Sequence, residues 1–321
     1  MSKPTPSQRR PLIVRLCNMV GDVALGLPAL QLLQDHGHDL HLYGKGWSKA
    51  LLGGHGWHIT TRAGKLGERI AQLRALKQHC LKQDPSFNQR VNTLVMPNSF
   101  SSAFEARMAG LKPAGLARDG RSLLLSEAWN ARMPSPPHHA LEGFWELACR
   151  LTATEASAPD RIDLHIDPQA QSKADALLAA HGIQPGFTCI VPYAAGDVDG
   201  KDKRWPEFAA FTRQLAARQD RQIVTCPGPG EEDVARQHPD AICLPGVALD
   251  VYLGLLKRAA LVISNDTGPA HMAAAVGTTV LSTLGPTKPE QWRPWGPQNI
   301  IAQGPNKQWP SIADVLQKVD A

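Results

Sequence analysis

Apolar and polar positions in this chain follow two periods, and the two periods take turns. Pro11 to Cys17 is an apolar run of strand length interrupted only by Arg15, and Asn18 to Asp22 reads as a loop. From Val23 the apolar residues return at helical spacing through Leu27, Leu30 and Leu33, ending near Gly37, with Pro28 starting or kinking that helix. Leu40 to Tyr43 is the next strand. Strand, helix, strand predicts a βαβ unit, in which the helix supplies the crossover that a parallel pair requires.

The alternation continues more loosely: helix Ile70 to Leu81, strand Val91 to Met96, helix Ser99 to Met108, an irregular stretch Lys112 to Pro137, and helix Leu141 to Leu151. Thr152 to Asp160 is small, polar and proline-bearing, the composition of a linker. The chain is therefore expected to divide into domains 1–155 and 156–321, with room for the last residues to pack back on the first domain. The second half repeats the rhythm more cleanly. Strands Phe187 to Pro192, Gln222 to Cys226, Ala241 to Leu244, Leu261 to Ser264 and Thr279 to Leu284 alternate with helices of 3.6 period. Two α/β, Rossmann-like, doubly wound domains facing across a cleft are expected, with ligands at the carboxyl ends of the strands.

Composition narrows the function more than the fold. With 321 residues there is room for two cores, and 43% hydrophobic with 20% charged residues excludes a disordered or fibrous chain. A net charge of +5 suits phosphate-rich small molecules or an anionic membrane surface. No Lys/Arg run interleaved with aromatics is present, so nucleic acid is not an expected partner. The cysteines (Cys17, Cys80, Cys149, Cys189, Cys226, Cys243) form no CxxC pair and read as buried, reduced thiols. Arg15 cuts short the first apolar run, so no signal peptide is expected, and no apolar stretch reaches membrane-span length. Any membrane contact is expected to be peripheral.

Three segments could carry chemistry. Ser264-Asn265-Asp266-Thr267-Gly268-Pro269-Ala270-His271 follows a strand and opens a helix. Asp266 or Thr267 can cap that helix, Gly268 lets a ligand approach the backbone, and Pro269 fits a first turn. The helix N-terminus then suits a diphosphate, and His271 could add a hydrogen bond; a plain capped turn with a packed histidine is the alternative. Lys201-Asp202-Lys203-Arg204-Trp205-Pro206 sets three cations before another helix, against the dipole, a conflict that a bound anion would remove. It could equally be a solvated basic turn. Asp22 after the first strand could take a proton from a hydroxyl, or serve as an ordinary N-cap. Asp197-Val198-Asp199 resembles a metal-binding DxD but, between Gly196 and Gly200, reads as a solvated turn. The histidines show no metal-ligand spacing, and His138-His139 is expected to face solvent.

Taken together and in this order, these segments resemble the lipopolysaccharide heptosyltransferase family, glycosyltransferase family nine. The likeness runs through Met19-Val20-Gly21-Asp22-Val23, Pro97-Asn98-Ser99-Phe100, Lys203-Arg204-Trp205-Pro206, Asp266-Thr267-Gly268 with His271-Met272-Ala273-Ala274-Ala275, and Gly285-Pro286-Thr287. The resemblance implies a GT-B fold, with an N-terminal acceptor domain and a C-terminal nucleotide-sugar domain. It also implies inverting, metal-independent transfer, without a cofactor, from an ADP-heptose donor. The acceptor implied is the lipid-linked lipopolysaccharide core, reached by a cytoplasmic enzyme peripheral to the inner membrane.

By the same resemblance Asp22 is the base, Lys203 contacts the donor phosphates, and Asp266, Thr267, Gly268 and His271 hold the diphosphate and sugar. Glu231, with Glu232 as the alternative, holds the nucleoside, and Asn98 and Ser99 lie on the acceptor side. Tyr193-Ala194-Ala195 departs from the small or hydroxyl residues usual in the family, which leaves more of the phosphate contact to Lys203 and backbone amides. Two other readings fit the same fold: a sugar-nucleotide epimerase or hydrolase, and a non-catalytic nucleotide-sugar-binding protein.

Overall fold

The structure is a computed structural model that describes residues 9–130, 139–218 and 220–320. The chain divides into two units, Met1–Pro159 and Asp160–Ala321. In the first, β1 (Arg10–Arg15) leads through α1 (Val20–Leu25) and α2 (Leu27–Asp35) to β2 (His38–Gly44). Then follow α3 (Ser48–Leu52), β3 (His58–Thr61), α4 (Leu66–Gln83), β4 (Thr93–Val95), α5 (Phe100–Met108), β5 (Pro113–Leu116), β6 (Glu127–Trp129) and α6 (Ala140–Thr152). The strands form one parallel sheet in the order β3-β2-β1-β4-β5-β6. Helices cover both faces, so β1 is buried over all but its first residue and is apolar from Pro11 to Val14.

The helix expected around Pro28 is two helices. Gly26 ends α1, and Pro28 sits in the first turn of α2, where its missing N–H costs nothing. A side chain at Gly26 would meet Met96 Cε at 2.6 Å, so the break also lets this turn close on the end of β4. The stretch expected to be irregular contains β5, a 3-10 turn over Arg121–Leu124, and β6, while 131–138 lie outside the described residues. These strands are four and three residues long, and β5 carries Pro113 and Gly115, so they show no strand period. His139, expected to face solvent, is buried: its Nδ1 accepts from Leu141 N (3.2 Å) as the N-cap of α6, and Glu142 completes a capping box. Its neighbour His138 falls outside the described residues.

The second unit starts with α7 (Pro168–Ala180) and β7 (Thr188–Val191), then a two-stranded hairpin, β8 (Asp197–Val198) and β9 (Lys201–Asp202). After α8 (Phe208–Ala216) come β10 (Ile223–Thr225), α9 (Glu232–Ala235), β11 (Ile242–Cys243), α10 (Leu249–Arg258), β12 (Leu261–Ser264), α11 (Gly268–Ala275) and β13 (Val280–Leu284). The unit closes with α12 (Pro289–Trp292), β14 (Ile300–Gln303) and α13 (Ile312–Val319). Its parallel sheet runs β11-β10-β7-β12-β13-β14. Setting the hairpin aside, both sheets share one strand order, third-second-first-fourth-fifth-sixth. In each, the order reverses between the first and fourth strands, the switch point at which such sheets bind ligands.

Strand β14 and the C-terminal helix go beyond the pattern read from the sequence. Val315 and Leu316 of α13 are buried in a core with Phe211, Leu215 and Leu281 of the second unit. Of the six free cysteines, Cys17, Cys80, Cys189 and Cys226 are buried as expected, but Cys149 is only half-buried and Cys243 is exposed.

Candidate active site

In the second unit the switch point lies between β7 and β12, and the loops that leave these two strands are tied together by Asn265. This side chain is fully buried; its Oδ1 accepts from Trp205 N (3.0 Å) and Thr283 Oγ1 (3.1 Å), and its Nδ2 donates to Pro192 O (2.8 Å). Asn265 thus links the end of β7, the loop before α8 and strand β13. Trp205 is buried as well, so Lys203 stands two positions before a fixed point.

From there Lys203 Nζ reaches Asp266 Oδ2 at 3.4 Å, with both side chains mostly out of solvent. The same oxygen accepts from Thr287 Oγ1 (2.8 Å), and Gln303 Nε2 pins that segment by donating to Thr287 O and Gly285 O. Three loops and the end of β14 therefore meet in one polar network, charge-assisted at Asp266.

Neither side chain proposed to cap α11 does so. Thr267 is the N-cap residue by position, but no side-chain cap bond is made among the described residues, and Asp266 is turned to Lys203 and Thr287. The first turn of α11 thus keeps amides for a ligand, next to a lysine. His271, in the second turn, is 6% exposed.

The cation segment behaves differently from expectation. Only Lys203 turns to Asp266; Arg204 is held by Asp202 (Nη2–Oδ2 2.6 Å) on the surface, and Lys201 is exposed in β9. Helix α8 starts at Phe208, so the expected conflict between three cations and a helix dipole does not arise. Asp197 accepts from Gly200 N (2.9 Å) and shapes the hairpin turn.

Glu231 is half-buried and accepts from Gly228 N (2.8 Å) in the loop after β10, whereas Glu232 is exposed. Glu231 is close enough to help raise the Tyr193 phenol, though burial is the larger cause. Tyr193 points into the core, where its hydroxyl meets Thr225 Oγ1 at 2.8 Å, so it serves as a packing residue.

In the first unit, the loops beyond β1 and β4 flank the other switch point. Asp22 is not an N-cap: that position belongs to Met19, and Asp22 stands in the first turn of α1, half-buried. Burial, followed by the charge of Asp22, pushes the Cys17 thiol up. Asn98 is exposed, and Ser99 is the N-cap residue of α5, with its Oγ 3.1 Å from Ser102 Oγ.

Beneath Asp22 lie residues that the sequence did not single out. Arg15 is buried, donates to Leu16 O and to Asn18 Oδ1 (2.9 Å), and is lowered to about 10 by burial and by neighbouring Arg62. Arg121, also buried and lowered to about 10 by burial, donates to Leu116 O (2.8 Å) and Pro97 O. Both arginines brace loops that lead to Asp22 and Asn98. The one available signal was an arginine at the end of an apolar strand, a costly place unless its donors are satisfied.

Two doubly wound parallel sheets of the same strand order, with a side-chain-uncapped helix start beside a lysine at a switch point, define a Rossmann-type α/β protein. The sequence model of glycosyltransferase family 9 (heptosyltransferase) matches residues 89–318, and the chain belongs to that family. Among curated relatives, lipopolysaccharide heptosyltransferase 3 of Escherichia coli is 37% identical over 104 residues, covering 30% of this chain and 30% of the relative. The chain thus aligns with under a third of that relative's length.

Among solved structures, E. coli ADP-heptose lps heptosyltransferase II superposes with a TM-score of 0.75 at 19% identity, covering 97% of each chain. E. coli heptosyltransferase WaaC with ADP-2-deoxy-2-fluoro heptose gives 0.67 at 20% identity, covering 97% of this chain and 99% of that one. These likenesses show a shared GT-B fold.

Proposed function

We propose that this chain is a glycosyltransferase that moves a heptose from an ADP-heptose donor to the core of a lipopolysaccharide acceptor, with inversion and without a metal. The observation that carries the reading is the Lys203–Asp266–Thr287 network beside the side-chain-uncapped start of α11. Family membership, and the E. coli heptosyltransferase WaaC with ADP-2-deoxy-2-fluoro heptose and with ADP, support the choice of donor.

In this reading the second unit binds the donor and the first binds the acceptor. The Thr267 and Gly268 amides and Lys203 Nζ hold the diphosphate, and they stabilise the charge that grows on it as the sugar leaves. Asp266 keeps Lys203 in place and offers its other oxygen to a sugar hydroxyl. His271 adds a contact to phosphate or sugar, and Glu231 takes the ribose. Asp22 accepts the proton of the attacking acceptor hydroxyl, a contribution of about 10²–10⁴-fold. The acceptor meets Asn98 and Ser99 on its way to Asp22. Among the described residues no helix is long and apolar enough to cross a membrane, and a lipid-linked acceptor would be met at the cytoplasmic face of the inner membrane.

The test offers the purified chain ADP-heptose with and without a heptose-accepting core saccharide, with EDTA present in parallel reactions. The expected result is a donor-dependent rise in melting temperature, ADP release only with acceptor, product of inverted anomeric configuration, and no effect of EDTA. Rapid turnover of donor alone would identify a hydrolase or epimerase instead. Donor binding with no product from any core saccharide would identify a binding protein.

A further inference from the structure

Helix α5 buries its small residues and shows its large ones. Ser102, Ala103, Glu105 and Ala106 face the core, while Phe100, Phe104 and Met108 recur at four-residue spacing and so form one stripe on the outside. Phe100 is 50% exposed and Met108 46%, and the rings of Phe100 and half-buried Phe104 stack 6.3 Å apart. The turn Arg121–Leu124 packs against the same helix and adds Leu123, 93% exposed. An ordinary surface helix has the opposite arrangement, with its apolar side inward and its polar side in water.

Charge is sorted on the same element. The one acid of α5, Glu105, is turned inward onto Arg69 (3.2 Å) and Arg62 (3.8 Å). Outside, Arg107 is exposed, Arg74 donates to Met108 O (3.1 Å) and Lys77 to Gly110 O (2.7 Å), so both cations are held at the Met108 end of the stripe. Between residues 62 and 130 eleven Lys/Arg stand against five Asp/Glu, a net of +6, when the whole chain carries only +5. The basic excess of the protein belongs to this one segment.

We propose that this face of α5 docks on an anionic lipid surface. Phe100, Phe104, Met108 and Leu123 enter the boundary between headgroups and acyl chains, and Arg74, Lys77 and Arg107 lie against lipid phosphates. Apolar side chains framed by cations are what an interfacial helix requires, and each cation near an anionic leaflet strengthens binding by roughly fivefold. A second copy of the chain is a poorer occupant, because a self-interface here would press one net-positive segment against another. The inference rests on the reading of a lipid-linked acceptor and deepens it by naming the surface. Asn98 and Ser99 immediately precede α5, so docking brings the acceptor-side end of that helix to the lipid boundary.

The experiment is flotation of the whole chain with vesicles of phosphatidylcholine alone or mixed with phosphatidylglycerol. Binding to the anionic vesicles is expected to exceed binding to neutral ones by roughly tenfold or more and to weaken with salt. The double variants Met108→Glu/Leu123→Glu and Arg74→Ser/Arg107→Ser should each lose roughly tenfold of it, with melting temperature and ADP-heptose response unchanged. If the first variant melts lower, the second carries the test. Equal binding to both vesicle types, or full binding by the variants, overturns the proposal, as does a dimer in solution that the first variant dissolves. Loss of the ADP-heptose response with vesicle binding intact counts against the transferase reading and leaves the docking face standing.

Discussion

A carboxylate placed beside a diphosphate would repel it, and Asp266 is spared that conflict because its Oδ2 is shared by Lys203 and Thr287. Lys203 then has N–H groups left for phosphate, since an ammonium carries three donors. Lys203→Ala should weaken ADP-heptose binding by about 10–100-fold, the range for a charge-assisted hydrogen bond, with calorimetric Kd as the readout. An unchanged Kd would remove the lysine from the site.

Asp22→Asn should lower kcat by about 10²–10⁴-fold while leaving donor Kd within a few-fold, because the base acts only on the acceptor proton. Comparable kcat for variant and parent would end the base assignment. The motif residues Asp22, Lys203 and Asp266 were legible because their types and spacing carry chemistry. Asn265, Arg15 and Arg121 were not. Asn265 and Arg121 satisfy backbone groups far away in sequence (Pro192, Pro97), which no local pattern records, and Arg15 turns back on its neighbour Leu16 from the end of a buried strand.

At the scale of elements, burial decided what could be read. Strand Leu261–Ser264 matched to the residue, because it is buried along its whole length and opens on three apolar residues. Strands β5, β6 and β14 escaped because they are short, and β6 at the sheet edge is exposed or half-buried along its length. Helix α10 meets α7 at Gly254, where an added Cβ would lie 2.6 Å from Ala174 Cβ. Gly254→Val should therefore cost about 1–3 kcal/mol by overpacking, measured by denaturant unfolding. A neutral result would mean that the two helices can separate without loss. Asn265→Ala should cost about as much or more, because Trp205 N and Pro192 O would lose a buried partner. It should also weaken donor binding, since the loop bearing Lys203 is fixed through Trp205.

The whole molecule sets its own acid limit. Burial lowers both His38, in the first unit, and His238, in the second, to about 4 from an ordinary 6.5. Each is favoured neutral in the folded state, so the stability it contributes is complete above pH 6.5 and is lost as pH falls from there towards 4. For His238, 3% exposed and bonded to Thr212 Oγ1, that loss is on the order of 3 kcal/mol. The melting temperature should drop steeply below pH 6.5, and His238→Gln should flatten that slope. A parallel slope in the variant would assign acid lability to other groups.

The two units repeat one strand order, and, Glu231 after β10 aside, each puts its candidate residues after its first and fourth strands. That symmetry gives the chain two binding edges, one suited to a diphosphate and one carrying a candidate base. The most direct measurement is a crystal structure of the chain with ADP. The account predicts the pyrophosphate within hydrogen-bonding reach of the Thr267 and Gly268 amides and Lys203 Nζ, with the ribose towards Glu231. A pyrophosphate bound at any other loop of the second unit, with Lys203 still turned to Asp266 alone, would contradict it.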